Sequence, residues 1–228
     1  MSSSNLRKLI LKGRATDRSM GVILTPWQFF FPSFKRLSAS LLSGFDSSVA
    51  DNELVAMPSQ ETFTFNGSRI HRIQHPHAEA LSLRLMQSLE KGEDDFTFSH
   101  RINDRWENTY LPVEKVPAAR EVIGFARDAA VRIYEQPLLA LYEPVGSSPN
   151  PPFWFNLAGP GAITGVHDHS NEAFVSGVFY LKAPSNCGNL FFRADGEEDF
   201  VLEPIQGKII LFRSDLKHGV AENLSGGV

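Results

Sequence analysis

The sequence contains a single cysteine, Cys187, so the chain cannot form an internal disulfide. One cysteine fits a reducing compartment and excludes the disulfide-rich scaffolds of small secreted proteins. No apolar run approaches the roughly 18 residues of a membrane-spanning helix, which argues against a membrane protein. No segment is repetitive or of low complexity, which argues against a solenoid repeat protein.

Neither sign of charge is in large excess, because 22 Lys and Arg stand against 26 Asp and Glu, a net charge of −4 over 228 residues. This balance gives no general reason to expect a nucleic-acid partner. The distribution is uneven, because residues 1–36 carry seven Lys or Arg and one acidic residue, Asp17. We therefore define 1–36 as a basic N-terminal segment and expect a cytoplasmic protein, with organellar targeting by this segment as the alternative.

The composition, 42% hydrophobic and 21% charged, is that of an ordinary globular protein with one well-buried core. We expect residues 1–228 to form a single domain without a membrane partner. The oligomeric state stays open at this point.

Three histidines stand out in the last third of the chain. His167 and His169 are two residues apart, and His218 follows after further runs with strand character. Side chains two apart on a strand point to the same side, so His167 and His169 can reach one ion while Asp168 points away. The pattern predicts a metal site made by His167, His169 and His218.

The segments between these histidines have the composition of short strands separated by turns. Ala173 to Ala183 is rich in β-branched and aromatic residues, and 189–193 and 208–213 are further predicted strands. Turn residues at 185–188 and 204–207 separate them. Two histidines at one strand end and a third on a later strand are typical of a double-stranded β-helix with a metal site in the barrel mouth.

Upstream of this core, the apolar spacing predicts two helices, near 77–91 and 117–135. The alternation along residues 62–73 predicts a strand or a hairpin around Asn66-Gly67, a pair that suits a type I′ turn. The expected fold is therefore α+β, mainly β: a jelly roll formed by about residues 150–228 and flanked by N-terminal helices that pack on the outer face of a sheet.

The C-terminal motifs resemble a bacterial and phage-type family of 2-oxoglutarate/Fe(II)-dependent dioxygenases. The resemblance covers about the last third of the chain and rests on an ordered set of motifs: Trp154-Phe155-Asn156, Gly161, His167-Asp168-His169, Ser176 to Leu181, Gly188, Pro204, Gly207, Leu211-Phe212, Ser214, Leu216, His218 and Val220. A fainter similarity lies at Asn103 to Leu111.

The resemblance implies an oxidoreductase that uses Fe(II), O₂ and 2-oxoglutarate as cosubstrate and hydroxylates a primary substrate that the sequence does not identify. Three neutral imidazoles leave the ion at +2, which a doubly negative 2-oxoglutarate would neutralise. Imidazole ligands also suit Zn, Cu and Ni, so the residues alone do not choose the metal.

Two further polar residues are expected at the cosubstrate. Tyr180 shares a strand face with Ser176, Val178 and Lys182, and Asn156 can face the site from a neighbouring strand. The related enzymes hold the far carboxylate of 2-oxoglutarate with an Arg about ten residues after the last histidine. Here the sequence stops at Val228 without such an Arg, so the core is expected to lack its last strand, and Lys182 is the predicted substitute.

Two other classes stay open. The spacing of Gly161, His167, His169, Glu172 and Gly177 approaches a cupin motif, which predicts a metal-dependent enzyme or binding protein that does not use 2-oxoglutarate. A non-catalytic jelly roll that kept these residues is the third class. Dependence on the cosubstrate separates the first two, and absence of bound metal would favour the third.

Overall fold

The computed structural model describes residues 21–25, 29–30, 59–145 and 147–226. Within these residues the fold is α+β and mainly β, as predicted. The helices are α1 Ala78–Lys91 and α2 Ala118–Tyr134, with a short 3₁₀ turn at Glu93–Asp95. The strands are β1 Gly21–Thr25, β2 Phe29–Phe30, β3 Gln60–Phe65, β4 Ser68–Gln74, β5 Thr97–Ile102, β6 Arg105–Tyr110, β7 Leu139–Ala140, β8 Trp154–Ala158, β9 Thr164–His167, β10 Val175–Lys182, β11 Leu190–Phe192, β12 Phe200–Leu202, β13 Lys208–Arg213 and β14 His218–Val220.

The described strands form two antiparallel sheets. The larger runs in the order β3-β4-β13-β10-β1-β8-β6-β5, and β2 pairs with both β10 and β7 off this path. The smaller runs in the order β12-β11-β14-β9. From β8 to β14 the chain passes back and forth between the sheets, with β11 and β12 as consecutive members of the smaller one. This winding is that of a double-stranded β-helix, so the predicted jelly roll is confirmed.

Apolar side chains fill the space between the sheets. Val178, Tyr180 and Phe212 of the larger sheet pack with Leu190 and Phe192 of the smaller one. The alternating side-chain direction of a strand puts one set of residues into this core and the next set on the opposite face. The barrel interior and the outer face of the larger sheet therefore bury different residues of the same strands.

The two helices cover that outer face. Leu81 and Leu85 of α1 and Val122 and Ala126 of α2 belong to one buried cluster with Phe179, Leu211 and other residues of the larger sheet. The apolar positions recur at helical spacing, which is why the pattern of the sequence predicted both helices to within one residue at each end.

The strand between β8 and β10 comes from the N-terminal part of the chain. Strand β1 pairs antiparallel with both neighbours, so that Val22 lies opposite Leu157 on one side and Lys182 on the other. Leu24 is fully buried there. The expected core of 150–228 without its last strand thus has a strand from outside that range in its larger sheet. Apart from β1 and β2, the basic segment 1–36 lies outside the described residues.

Two hairpins extend the larger sheet at its two ends. The β3–β4 turn has positive φ at Asn66 (44°) and Gly67 (70°), the geometry of the predicted type I′ turn. The β5–β6 hairpin turns at Asn103 (48°) and Asp104 (63°) in the same way. This second hairpin lies beside β8, because Thr109 pairs with Phe155, and it brings β5 and β6 to the mouth of the barrel.

Some predicted bounds differ from those observed. His169 lies two residues beyond the end of β9, and strand β12 was not predicted. Residues 147–152 belong to no helix or strand. No described helix combines the length and apolar character needed to cross a membrane.

Candidate metal centre

The three predicted histidines meet at one end of the smaller sheet. His167 is the last residue of β9 and His218 the first of β14, and these two residues are directly opposite each other in the antiparallel pair. His169 reaches the same place from the turn that follows β9, where its backbone N–H donates to the carbonyl oxygen of Ser214 at 2.8 Å. Adjacent strands and one short turn therefore position the whole cluster.

The rings are close enough to share an ion. The ring centroids of His167 and His169 lie 4.9 Å apart, those of His167 and His218 4.4 Å, and those of His169 and His218 5.5 Å. One nitrogen from each ring lies within 4.8 Å of the other two. A metal held about 2.1 Å from each nitrogen allows at most about 4.2 Å between any two of them. Small rotations of the rings bring the cluster into that range.

The backbone fixes the tautomers of two of the rings. Nδ1 of His167 lies 2.9 Å from the carbonyl oxygen of Gly165, and Nδ1 of His218 lies 2.9 Å from that of Leu216. A carbonyl oxygen can only accept, so Nδ1 carries the hydrogen in each ring and Nε2 keeps its lone pair. Histidine ligands of protein-bound metals are commonly oriented in this way.

The third ring is oriented by a carboxylate. Nδ1 of His169 lies 3.1 Å from Oε2 of Glu172. His169 is only 7% exposed, and its Nε2 is buried without a hydrogen-bond partner among the described residues. A buried polar atom left unpaired costs about 1–3 kcal/mol, a cost that a bound ion would remove. This nitrogen is the strongest structural sign that the cluster fits a metal.

Burial keeps two of the three rings neutral. Burial lowers the pKa of His218 to about 3, with the neighbouring His167 as a second cause. Burial also lowers the pKa of His169, again with His167 contributing. Metal binding requires neutral imidazole, so these two residues are in the binding form across the neutral pH range.

Asp168 is placed differently from the histidines. Its side chain is exposed, and Oδ1 accepts hydrogen bonds from the backbone N–H of Ser170 at 3.0 Å and from its hydroxyl at 2.6 Å. These bonds lower the pKa of Asp168. The ligand atoms that lie close together come from His167, His169 and His218, and the carboxylate of Asp168 is not among them.

A cavity of about 770 Å³ opens beside the histidines. This volume is within the usual range for small-molecule sites. Its walls come from the β5–β6 hairpin, the 145–152 loop and strands β8, β9, β10 and β14. Trp154 in the wall contacts the ring of His169, with centroids 5.8 Å apart.

Two of the three predicted cosubstrate residues line this cavity. Asn156 is buried; its Oδ1 accepts from Nη1 of Arg105 at 2.9 Å, and its Nδ2 donates to Oγ1 of Thr164 at 3.2 Å. Tyr180 is 2% exposed, and burial raises the pKa of its hydroxyl. Lys182, at the half-buried end of β10, is outside the cavity lining.

The β5–β6 hairpin provides a polar part of the wall, which the sequence analysis had marked only by a faint similarity over Asn103 to Leu111. Oγ of Ser99 lies 2.8 Å from Nδ1 of His100 and 2.9 Å from the hydroxyl of Tyr110, and Nδ2 of Asn108 lies 3.2 Å from both of these groups. A hairpin signal was available in Asn103-Asp104, a pair that suits a type I′ turn. The closeness to the histidines depends on pairing with β8, which that signal does not encode.

No family model and no curated protein sequence matches the chain. Among solved structures, the chain is similar to a prolyl hydroxylase from Trichoplax adhaerens, in complex with an oxygen degradation domain peptide fragment of hypoxia inducible factor. The identity is 14%, the similarity covers 68% of this chain and 78% of the other, and the TM-score is 0.43. At this level of similarity the comparison adds no argument about the site, which is interpreted below from its own geometry.

Proposed function

We propose that the protein is an Fe(II)- and 2-oxoglutarate-dependent oxygenase that hydroxylates a small or extended substrate in the barrel mouth. The observation that carries the proposal is the convergence of His167, His169 and His218, each with Nδ1 engaged and Nε2 available, beside a cavity of about 770 Å³. The family resemblance of the C-terminal motifs supports iron as the metal.

The donor set fits a catalytic metal better than a structural one. Three protein ligands leave positions open for small molecules, whereas structural zinc sites use four. Three neutral imidazoles leave Fe(II) at +2, and a doubly negative 2-oxoglutarate brings the centre to neutrality. When bound, iron and 2-oxoglutarate supply the oxidising power for hydroxylation, and the cosubstrate leaves as succinate and carbon dioxide.

The surrounding residues orient the reactants and limit access of water. Asn156 is fixed by Arg105 and Thr164, and one N–H of its amide remains for a ligand. Tyr180 offers a buried hydroxyl in the same cavity. We assign both to cosubstrate binding, with Lys182 as the cationic partner of the far carboxylate.

The decisive experiment combines metal analysis with a succinate-release assay on the purified protein. We expect about one iron per chain after anaerobic loading, and succinate formation that needs Fe(II), 2-oxoglutarate and O₂. His218→Ala should lose both properties, whereas His77→Ala, an exposed histidine outside the cavity, should retain them. Iron binding without any succinate would contradict the oxygenase proposal.

Iron binding without succinate release would favour the cupin-like alternative, a metal-dependent protein that does not use 2-oxoglutarate. One observation supports this second candidate: no Lys or Arg belongs to the cavity lining formed by the described residues. Against this candidate, the carboxylate of Glu172, the expected cupin ligand, contacts Nδ1 of His169 and orients that ring. The carboxylate therefore lies beside the three histidines and not on the side of their Nε2 atoms, where a metal would bind.

A further inference from the structure

The β5–β6 hairpin holds the ring of His100 on the cavity side of its strand. Ser99 lies opposite Asn108 in the strand pair, and both residues line the cavity. The next residue of a regular strand points to the other face. Nδ1 of His100 nevertheless lies 2.8 Å from Oγ of Ser99 and 3.2 Å from Nδ2 of Asn108, so its ring is on the same side as these two residues.

A left-handed backbone produces this arrangement. His100 has φ of +54° within β5, whereas Asn103 and Asp104, the other described residues of the hairpin with positive φ, belong to its turn. Positive φ is uncommon for a residue with a side chain, and it breaks the alternation of a strand. Backbone conformations of this kind cluster at functional sites.

The contacts of Nδ1 determine which ring nitrogen carries the hydrogen. An amide nitrogen can only donate, so Nδ1 of His100 accepts from Asn108 and the hydrogen of the neutral ring is on Nε2. Nδ2 of Asn108 also donates to the hydroxyl of Tyr110 at 3.2 Å, and this hydroxyl lies 2.9 Å from Oγ of Ser99. When Tyr110 donates to Ser99 and Ser99 donates to Nδ1, each hydrogen of the network has an acceptor.

This tautomer distinguishes His100 from the metal ligands. In His167 and His218, Nδ1 carries the hydrogen and Nε2 keeps its lone pair, which is the form that binds a metal. His100 has the reverse arrangement, so its Nε2 is a donor. His100 is exposed where it lines the cavity, and its Nε2 has no hydrogen-bond partner in the part of the chain that the structure describes.

Aromatic rings connect the hairpin network to the metal centre. The rings of Tyr110 and Trp154 lie 6.0 Å apart, and Trp154 contacts His169 with centroids 5.8 Å apart. The two cavity residues that we assign to the cosubstrate lie on β8 and β10, in a different part of the wall. The donor of His100 is therefore available to another ligand of the same cavity.

The rest of the lining favours a neutral acceptor over an anionic one. The described lining contains the acidic residues Asp168 and Glu172 but no Lys or Arg, so an anionic group would gain no ion pair there. Apolar surface comes from Ile102, Val145 and Pro152. A neutral carbonyl group on a partly apolar molecule matches both features.

We propose that the Nε2–H of His100 donates to a neutral carbonyl oxygen, as in an amide, of the ligand that occupies this cavity. His100 is then a specificity-determining residue for the primary substrate, and Ser99 is a positioning residue that acts through it. The assignment of this ligand as the substrate rests on the proposed oxygenase function. The donor itself does not depend on that function.

The first test is the tautomer of His100 in the metal-free full chain at about pH 8, where an ordinary histidine is neutral. Long-range hydrogen–nitrogen correlation NMR separates a ring nitrogen that carries a hydrogen from one with a lone pair. His100→Gly identifies the signals, and glycine adopts positive φ without strain. We expect the hydrogen on Nε2. Ser99→Ala should move part of the population to the Nδ1–H form, whereas Ser148→Ala, at another serine of the cavity lining, should not.

The second test compares two probes of the same shape, N,N-dimethylbutanamide and its thioamide, whose sulfur is a weaker acceptor. Neither probe has an N–H group. Binding is measured by ligand-observed NMR on the metal-free chain, so that contact with a metal does not contribute. His100→Gly should lower the ratio of amide to thioamide affinity about three- to ten-fold, the effect of one hydrogen bond. His77→Ala, at an exposed histidine outside the cavity, should leave the ratio unchanged.

Butanoate tests the charge of the ligand and should bind more weakly than the amide. If His100→Gly does not fold, as judged by circular dichroism, Ser99→Ala serves as the second variant and should lower the affinity ratio about two- to three-fold.

A hydrogen on Nδ1 in the wild-type chain, no binding of the amide, an unchanged affinity ratio in the variant, or tighter binding of butanoate would each overturn the proposal. These results are independent of succinate release. Amide binding through His100 in a protein that forms no succinate would keep the donor site and remove only the oxygenase, whereas succinate formation with an unchanged ratio would do the reverse.

Discussion

His218 faces His167 across the β9–β14 strand pair, with ring centroids 4.4 Å apart. Each of these rings is held by a backbone carbonyl two residues before it in the chain, Leu216 for His218 and Gly165 for His167. The same local contact on two antiparallel strands turns both Nε2 atoms towards one point. The strand pairing and the metal site are therefore one structural feature, and a change in either should affect the other.

Removing His218 should abolish metal-dependent stabilisation. A metal at about 100 times its dissociation constant adds about 2.7 kcal/mol to the free energy of unfolding of the wild-type chain. His218→Ala should show no such increase, whereas His77→Ala should behave as wild type. Thermal unfolding with and without Fe(II), Zn(II) or Ni(II) measures this effect. A full increase in the His218 variant would remove this residue from the ligand set.

Metal binding should distinguish His169 from the adjacent Asp168. Because Asp168 is exposed and hydrogen-bonded to Ser170, Asp168→Ala should change metal affinity less than about three-fold. His169→Ala removes the buried Nε2 and should reduce affinity about 100-fold or more. Competition titration with a chromogenic chelator gives both values. The opposite ranking of the two variants would show that the carboxylate is the ligand.

Binding of 2-oxoglutarate should depend on Lys182, the proposed cationic partner of its far carboxylate. Lys182→Ala should weaken anaerobic 2-oxoglutarate binding to the Fe(II) protein about ten-fold, because it removes a charge-assisted hydrogen bond. Lys91→Ala, at the exposed end of α1, is the control.

Isothermal titration calorimetry of these variants measures the binding directly. Tight and equal binding by wild type and Lys182→Ala would show that another group holds the far carboxylate. Lys182 is outside the cavity lining, so the result decides whether this residue or another group binds the cosubstrate.

Local sequence pattern predicted much of the barrel. Apolar and β-branched runs located β10, β11 and β13, and the histidine spacing located the end of β9 and the start of β14. These features are encoded within short windows, because strand composition and turn residues act over a few positions. The three histidines were found for the same reason.

Features that depend on distant parts of the chain were not predictable in this way. Strand β1 lies between β8 and β10, more than 120 residues away in sequence, and no local pattern encodes such a pairing. The network of Arg105, Asn156 and Thr164 likewise joins three strands.

The alternation of side chains along β10 predicted only part of the cavity wall. It placed Ser176, Val178, Tyr180 and Lys182 on one face, but only Val178 and Tyr180 line the cavity. Ser176 is buried against the hydroxyl of Ser214 at 2.8 Å instead. Strand twist moves the two ends of a long strand away from the site that its middle faces.

The turn after β10 should tolerate no side chain at Gly188. This residue has φ of +96°, and a Cβ there would collide with the carbonyl oxygen of Ala221. Gly188→Ala should lower the free energy of unfolding by about 2–4 kcal/mol, since a backbone clash adds to the cost of the left-handed conformation. Gly67→Ala, at φ of +70° with no atom within 4 Å, isolates the conformational cost and should lose only about 1–2 kcal/mol. Chemical denaturation measures both, and equal losses would show that the loop at Ala221 moves aside.

A buried histidine away from the metal site should make the fold sensitive to acid. His71 is 2% exposed, its Nδ1 contacts Gln60 and Thr62, and burial, with a smaller contribution from Arg69, lowers its pKa to about 4. The ordinary histidine pKa of about 6.5 applies in the unfolded chain, so the unfolded state binds a proton more readily than the folded one. The contribution of this residue to stability is therefore complete above pH 6.5 and is lost as the pH falls from about 6.5 to 4.

His71→Gln should reduce the pH dependence of the unfolding free energy in this window by at most about 1.4 kcal/mol per pH unit, the limit for one proton. Other buried histidines, including His75, contribute to the same window, so the variant should keep part of the slope. The measurement is urea denaturation of the metal-free protein at several pH values between 4 and 7.5, with His77→Gln as the exposed control. An unchanged slope in the His71 variant would mean that the folded chain accommodates the protonated ring, which the lack of a partner for its buried Nε2 in the described chain argues against.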